Sequence, residues 1–203
     1  LQNHPEYSED FVTLFGLRNA THIRPYHVAR AIAQFERTLI SGNSPYDQYM
    51  AGLATLSEAE MRGLAIFFDF EDDLPNGECN HCHMDPFFTD FQFLNNGIQT
   101  PEAWESNPDM GRAGVTKKPF DRGKFRIPTL RNIALTAPYM HDGSMATLEE
   151  VVEHYNSGGY PAVNSSVNVR PLGLSARDKS DLIAFLHTLT DSTFLNNPNF
   201  QRP

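Results

Sequence analysis

The sequence predicts an all-α protein. Apolar residues recur at helical spacing in the longer patterned segments, capping signatures open several of them, and the one long remaining stretch is irregular and proline-bearing. Residues 8–15 (SEDFVTLF) read as a short helix with Ser8 as its cap. Residues 25–40 read as a longer helix: Pro25 suits the first turn, and Val28, Ile32, Phe35 and Leu39 repeat on one face. Such a stripe needs a partner surface to bury it. Gly42-Asn43-Ser44-Pro45 then breaks the chain. Ser57-Glu58-Ala59-Glu60 is a capping box, so a helix is expected from 58 to 70, with Met61, Leu64, Ala65 and Phe68 inward. The stretch 85–130 holds Pro86, Pro101, Pro108, Pro119 and Pro128, and a loop this long in a compact domain is usually functional or wrapped around something. Thr147-Leu148-Glu149-Glu150 is a second capping box, opening a helix to about 155 that buries Leu148, Val151, Val152 and Tyr155; Gly158-Gly159 ends it. Ser175 with Asp178 caps the last helix, with Leu182, Ile183, Leu186 and Leu189 inward. This organisation gives helices over 1–50, a domain over 51–192 and a tail over 193–203.

A chain of 203 residues holds one good core or two small ones. Its hydrophobic content of 40% and charged content of 20% suit a soluble globular protein, and no apolar run reaches membrane-spanning length. The formal charge of −9 argues against nucleic acid and favours a basic protein partner or simple solubility.

Cys79-Asn80-His81-Cys82-His83 reads C-x-x-C-H, the attachment pattern for a c-type haem, and contains both cysteines of the chain. Two thiols three positions apart can bond the two vinyl groups of one haem, and the following His83 sits beneath the iron as proximal ligand. A zinc site wants four ligands and there is no second C-x-x-C, although His81, His83 and a distant histidine would complete one. A thioredoxin-like pair would follow a strand, and these surroundings are helical and loop-rich. Haem is attached to this motif outside the cytoplasm. The expectation is therefore a mature periplasmic chain whose leader has been removed, since no charged-then-apolar signal segment opens it.

One iron position remains to be filled. The candidates are Met84, Met110, Met140, Met145, His141, His154, His187 and Tyr155. Met84 is too close to His83 to reach the other haem face. Tyr155 ends the apolar stripe of a capped helix, which directs it inward; a core tyrosine and an iron ligand both satisfy that pattern, and methionine is the commoner cytochrome partner.

Residues 126–159 (RIPTLRNIALTAPYMHDGSMATLEEVVEHYNSGG) resemble the C-terminal haem domain of bacterial di-haem cytochrome c peroxidases and the related MauG proteins. AIAQFERTLISGNSPYDQYM at 31–50 and GLSARDKSDLIAFLHTLTD at 173–191 resemble the same family. The resemblance implies a cytochrome c-like haem domain preceded by helices that end an adjoining N-terminal haem domain, which is where the family packs the 28–39 stripe. In the peroxidases a methionine binds the iron one helix beyond Pro138-Tyr139-Met140-His141; MauG proteins carry tyrosine there, which implies His83 and Tyr155 as the axial pair. Met145 falls at a position that is simply apolar in relatives. The resemblance further implies a calcium ion held by the carbonyls of Thr136 and Pro138, and a hydrogen-bonding role near the haem for His141. Arg126 and Arg131 are candidates for the haem propionates, since a guanidinium fork suits a carboxylate. Trp104, the only tryptophan, is read as a packing or surface residue rather than an electron relay.

The family carries two haems and this sequence has one attachment motif, so a second haem is expected in an adjoining domain or chain. The activity implied is that of a MauG-like enzyme that uses hydrogen peroxide to oxidise a residue in a protein substrate. The alternatives are a peroxidase that reduces hydrogen peroxide with electrons from a small cytochrome, and a mono-haem electron-transfer protein without catalysis.

Overall fold

A computed structural model describes residues 1–200. The chain forms two compact units, one of residues 1–41 with the segment from Phe194 onward, the other of residues 42–193.

In the first unit, helix α1 spans Tyr7–Phe15 and α2 spans Pro25–Glu36. Ser8 lies inside α1 rather than capping it. His4 takes that role, its Nδ1 accepting the Glu6 and Tyr7 N–H groups at 3.3 Å each, so two of the orphan donors of the first turn are satisfied by a ring nitrogen. Pro25 opens α2 as expected, but the helix stops at Glu36 and leaves Leu39 beyond it. The stripe on α2 is largely open, with Ile32 54% and Phe35 49% exposed.

The second unit begins earlier than residue 51. Ser44 caps α3 (Pro45–Met50) through a reciprocal bond with Asp47. Tyr46 is buried, its ring edge-on to Phe88 at 5.2 Å and to Phe185 at 5.8 Å. The Gly42 and Asn43 N–H groups both donate to Asp191 Oδ2 at 3.0 Å. Residues 42–50 are thus built into this unit's core.

Helix α4 (Glu58–Phe68) starts at the expected Ser57–Glu60 box. Its buried face is Leu64, Ala65, Ile66 and Phe67, whereas Met61 is 36% exposed. The face is wider than the sequence pattern because α4 is covered on two sides: by the last long helix, and by the turn at Cys79–His81. The irregular stretch contains only short elements: a two-residue antiparallel ladder of β1 (Phe93–Leu94) with β2 (Phe125–Arg126), the helices α5 (Pro101–Ser106) and α6 (Ala113–Thr116), and a single 3-10 turn at Pro119–Asp121. Trp104 on α5 is buried against Gly123, where an added Cβ would come 2.7 Å from the indole.

Helix α7 (Leu148–Ser157) opens at the Thr147–Glu150 box and closes at Gly158, whose φ of 87° a side chain would resist. Helix α8 (Ala176–His187) opens at Ser175–Asp178. Besides Leu182 and Leu186 it buries Phe185, which joins Phe67, Phe88 and Tyr46 in one aromatic cluster. Among the described residues no helix is long and apolar enough to cross a membrane.

Helices α4 and α8 cross at Gly63, where a Cβ would lie 2.0 Å from the Asp181 carbonyl oxygen and 2.8 Å from the Phe185 Cβ. Beside the crossing, Arg62 bonds Asp181 through Nε at 2.8 Å and Asp178 through a terminal nitrogen at 2.9 Å. Because the clash at Gly63 is with backbone, Gly63→Ala must push the helices apart. We expect it to cost about 3 kcal/mol or more of unfolding free energy, at or beyond the upper end for overpacking, measured by denaturant unfolding of the haem-loaded protein.

Candidate haem site

The C-x-x-C-H segment is a single helical turn seated on the end of α4. The Cys82 and His83 N–H groups both donate to the Cys79 carbonyl, at 3.2 and 2.9 Å. This turn sets Cys79, Cys82 and His83 on one face, as positions i, i+3 and i+4. Gly77 ties the turn to the helix: its N–H donates to the Ile66 carbonyl at 2.9 Å, and an added Cβ would lie 2.9 Å from that same oxygen and 3.3 Å from Cys79 Sγ.

His83 is oriented by the backbone. Its Nδ1 is 3.0 Å from the Phe88 carbonyl oxygen. A carbonyl only accepts, so Nδ1 carries the proton and Nε2 presents a lone pair, the tautomer a metal-ligating histidine needs. Burial lowers the pKa of His83 and so favours the neutral ring. Burial also pushes the free thiols up, Cys79 to about 12 and Cys82 to about 11. His81 holds its Nδ1 2.9 Å from Glu78 Oε2. These residues fit a covalently attached haem.

Helix α7 carries Tyr155. Burial raises its pKa; a hydrogen bond from Asn96 opposes that, and Cys82 and Cys79 lie near enough to add to it. Asn96 Nδ2 donates to the Tyr155 oxygen at 3.2 Å and faces Met140 Sδ at 3.4 Å, while the Asn96 carbonyl accepts from His154 Nε2 at 2.9 Å. Three residues here take the left-handed backbone region: Glu78 (φ 56°) before Cys79, Phe88 (φ 51°) behind His83, and Met140 (φ 70°) beside Asn96. Each costs about 1–2 kcal/mol, and such strain gathers where structure is held for function.

The other sequence candidates lie differently. Arg131 is engaged by protein: its two terminal nitrogens bond the two Asp47 carboxylate oxygens at 2.9 Å each, and its Nε donates to the Pro86 carbonyl at 2.8 Å. Each nitrogen of the fork makes one of these bonds, so Arg131 clamps α3 to the segment after the motif. Burial pushes the Asp47 pKa up, but the bonds from Arg131 and Ser44 outweigh it and leave the carboxyl below its usual range. Arg126 is exposed and lies over the Phe91 ring at 5.0 Å. His141 is exposed and stacked on Phe125 at 3.8 Å and on Trp104 at 5.6 Å. Thr136 and Pro138 lie in an exposed turn before the buried Tyr139. Met145 pairs its backbone with Tyr139 and packs on the core, as its sequence position suggested. His154 is committed to Asn96, Met84 is 48% exposed, and His187 is exposed. Sequence reasoning passed over Asn96 and Phe88; the only local signal at Asn96 was the Asn-Asn-Gly turn that contains it.

Two outcomes follow from this geometry. Haem should stay with the denatured polypeptide, and Cys79→Ala with Cys82→Ala should make it extractable by acidified organic solvent. Arg131→Gln should cost about 3 kcal/mol of stability, the lower end for breaking a buried pair, and leave the haem reduction potential unchanged in redox titration.

The comparisons with known proteins agree with the site. The family model described as di-haem cytochrome c peroxidase matches residues 1–55. The cytochrome-c peroxidase IdrP1 of Pseudomonas sp. (strain SCT) is 35% identical over 218 residues, covering 93% of this chain and 55% of the relative. The methylamine utilization protein MauG of Methylorubrum extorquens is 34% identical over 188 residues, covering 91% of this chain and 49% of the relative. Among solved structures, a MauG-like protein associated with microbial copper homeostasis superposes with a TM-score of 0.79 at 38% identity, covering 90% of this chain and 62% of that one. The chain thus spans about half the length of the curated relatives it matches. Its helical architecture is the cytochrome c-like one of these haem proteins. By sequence and by fold alike, this chain belongs to the family of di-haem cytochrome c peroxidases and MauG proteins.

Proposed function

We propose that this chain is the tyrosine-ligated haem half of a MauG-like di-haem enzyme, which uses hydrogen peroxide to oxidise a residue in a protein substrate. The observation that carries the reading is Tyr155 itself, delivered by α7 and held through its phenol oxygen by Asn96 Nδ2 at 3.2 Å. When bound, the haem supplies an iron centre that can store and pass on oxidising equivalents. Cys79 and Cys82 anchor the porphyrin, and His83 binds through Nε2 with its ring fixed by Phe88. Tyr155 contributes a phenolate, a hard anionic donor that favours ferric over ferrous iron and lowers the reduction potential. That suits storage of oxidising equivalents better than simple electron entry.

If His83 and Tyr155 both hold the iron, this haem would have no place left for peroxide to bind. On this reading peroxide reacts at a second haem, in a domain or chain adjoining residues 1–50, and the exposed face of α2 suits such a neighbour. The periplasm is the compartment in which C-x-x-C-H haem attachment takes place. A calcium ion on the Thr136 and Pro138 carbonyls belongs to the same reading.

Ordinary peroxidase activity, with electrons drawn from a small cytochrome, is the second reading. Met140 favours it, because its thioether lies beside Tyr155 on the same Asn96 amide, and a thioether ligand would raise the potential where a phenolate lowers it.

Tyr155→Phe should change the ferric absorption spectrum and raise the potential by about 59 mV or more, a tenfold shift in favour of the ferrous state for one electron. Tyr155→Met should raise it further. An unchanged spectrum and potential in Tyr155→Phe would rule ligation out. In stopped-flow mixing with hydrogen peroxide, the 203-residue polypeptide with its own haem should be inert, whereas the assembly with its second haem should be oxidised at both. Rapid stoichiometric oxidation of the polypeptide alone would contradict the proposal.

A further inference from the structure

We propose that Asn96 is the positioning residue of the distal ligand: its side-chain amide, locked by the Met140 thioether, donates a hydrogen bond to the Tyr155 phenol oxygen and sets how strongly that oxygen binds iron. The inference rests on Tyr155 ligation and goes beyond it, because it assigns the control of that ligand to Asn96, 59 positions from Tyr155, and to Met140, 44 positions from Asn96.

The amide's orientation follows from the chemistry of its neighbours. Asn96 Nδ2 is 3.2 Å from the Tyr155 oxygen and 3.4 Å from Met140 Sδ. A thioether sulfur can accept a hydrogen bond and cannot donate one. The reversed amide would set its oxygen lone pairs against those of the sulfur, with no hydrogen between them. Met140 therefore selects the orientation in which one N–H serves the sulfur and the other serves the phenol oxygen. A ligating oxygen that receives an N–H shares its electron density between that hydrogen and the iron, so the amide moderates an otherwise strong anionic donor.

The amide is also rigidly held. The Asn96 carbonyl accepts from His154 Nε2 at 2.9 Å, so one residue grips the main chain of the loop and the side chains of two successive residues of α7. The Asn95 side chain takes the Gly97 N–H at 2.9 Å, and the Gly97 carbonyl accepts the Tyr160 N–H at 2.8 Å. Gly97 sits at φ 69°, where an added Cβ would come 2.8 Å from the Tyr160 carbonyl oxygen. Met140 is held at φ 70° on the other side. Neither partner of the amide is on a free segment.

The test uses the haem-loaded protein in its native assembly, and reads the reduction potential of this haem together with its ferric absorption and electron paramagnetic resonance spectra. Asn96→Leu fills similar volume without a donor. The phenolate becomes the stronger donor, and the potential should fall by about 59 mV, a tenfold shift toward the ferric state, with ligation kept. Asn96→Asp keeps the shape but turns a carboxylate toward the phenol oxygen, and the tyrosine-ligated spectrum should be lost. Met140→Leu frees the amide to turn over and should shift the potential in the same direction as Asn96→Leu, by less. In a Tyr155→Phe background, Asn96→Leu should have no further effect, as a double-mutant cycle requires of a direct bond. Wild-type potential and spectra in both Asn96 variants, with Tyr155→Phe altered, would overturn the proposal and leave ligation standing. An equal Asn96→Leu shift in the Tyr155→Phe background would also overturn it, by showing that the residue acts through the fold. Unchanged spectra in Tyr155→Phe itself would remove both the ligation and this inference.

Discussion

The crossing of α4 and α8 at Gly63 is the constraint on which the second unit depends. With no side chain at that point, the α4 backbone approaches the Asp181 carbonyl so closely that even a methyl group has no room. Close approach lets Phe67 on α4 and Phe185 on α8 interleave, with ring centroids 5.1 Å apart, and Phe88 packs on Phe67 at 5.8 Å. Phe88 then links the core to the site. Its side chain is fully buried, and its carbonyl oxygen fixes the His83 ring while also accepting the Leu130 N–H at 3.2 Å. The tautomer that frees Nε2 for iron is thus set by hydrophobic packing one residue layer away. The chain accepts a left-handed φ at Phe88 to achieve it.

Around this core, buried charges are satisfied in pairs and forks. Arg62 joins the two aspartates of α8, Arg131 joins Asp47 to the Pro86 carbonyl, and Asp191 gathers the Gly42 and Asn43 N–H groups. Such pairs add little net stability over apolar packing, but losing one partner leaves an uncompensated charge. Their value here is register: each connects segments far apart in the chain. The Arg131 fork fixes where the segment after the haem motif lies relative to α3, and so steadies the loop that carries Phe88.

The distal side is built by a different device. Tyr155 comes from a well-capped helix, and its partners come from loops of no regular structure, at Asn96 and at Met140. The Asn96 loop is held by a glycine-tight turn and side-chain bonds to backbone, and the Met140 loop by the buried Tyr139 beside it.

Local chemistry was legible in the amino-acid sequence. Five contiguous residues specify haem attachment, because both thiols and the proximal histidine lie within one turn. The boxes at Ser57–Glu60, Thr147–Glu150 and Ser175–Asp178 were legible because a cap bond spans three residues. Resemblance to the family pointed to Tyr155. What the tertiary structure decided are the contacts that cross the chain. Ile66 and Phe67 are buried because α4 has two neighbours, which the periodicity of a single helix does not report. Nothing in the local sequence shows that Arg131 pairs with Asp47, 84 residues away. Asn96 reads as part of a turn until α7 brings Tyr155 to it from 59 residues away. Hydrogen bonds act over about 3 Å, so sequence spacing reveals only those that the helical or turn geometry of a few residues can close, and the fold alone supplies the rest.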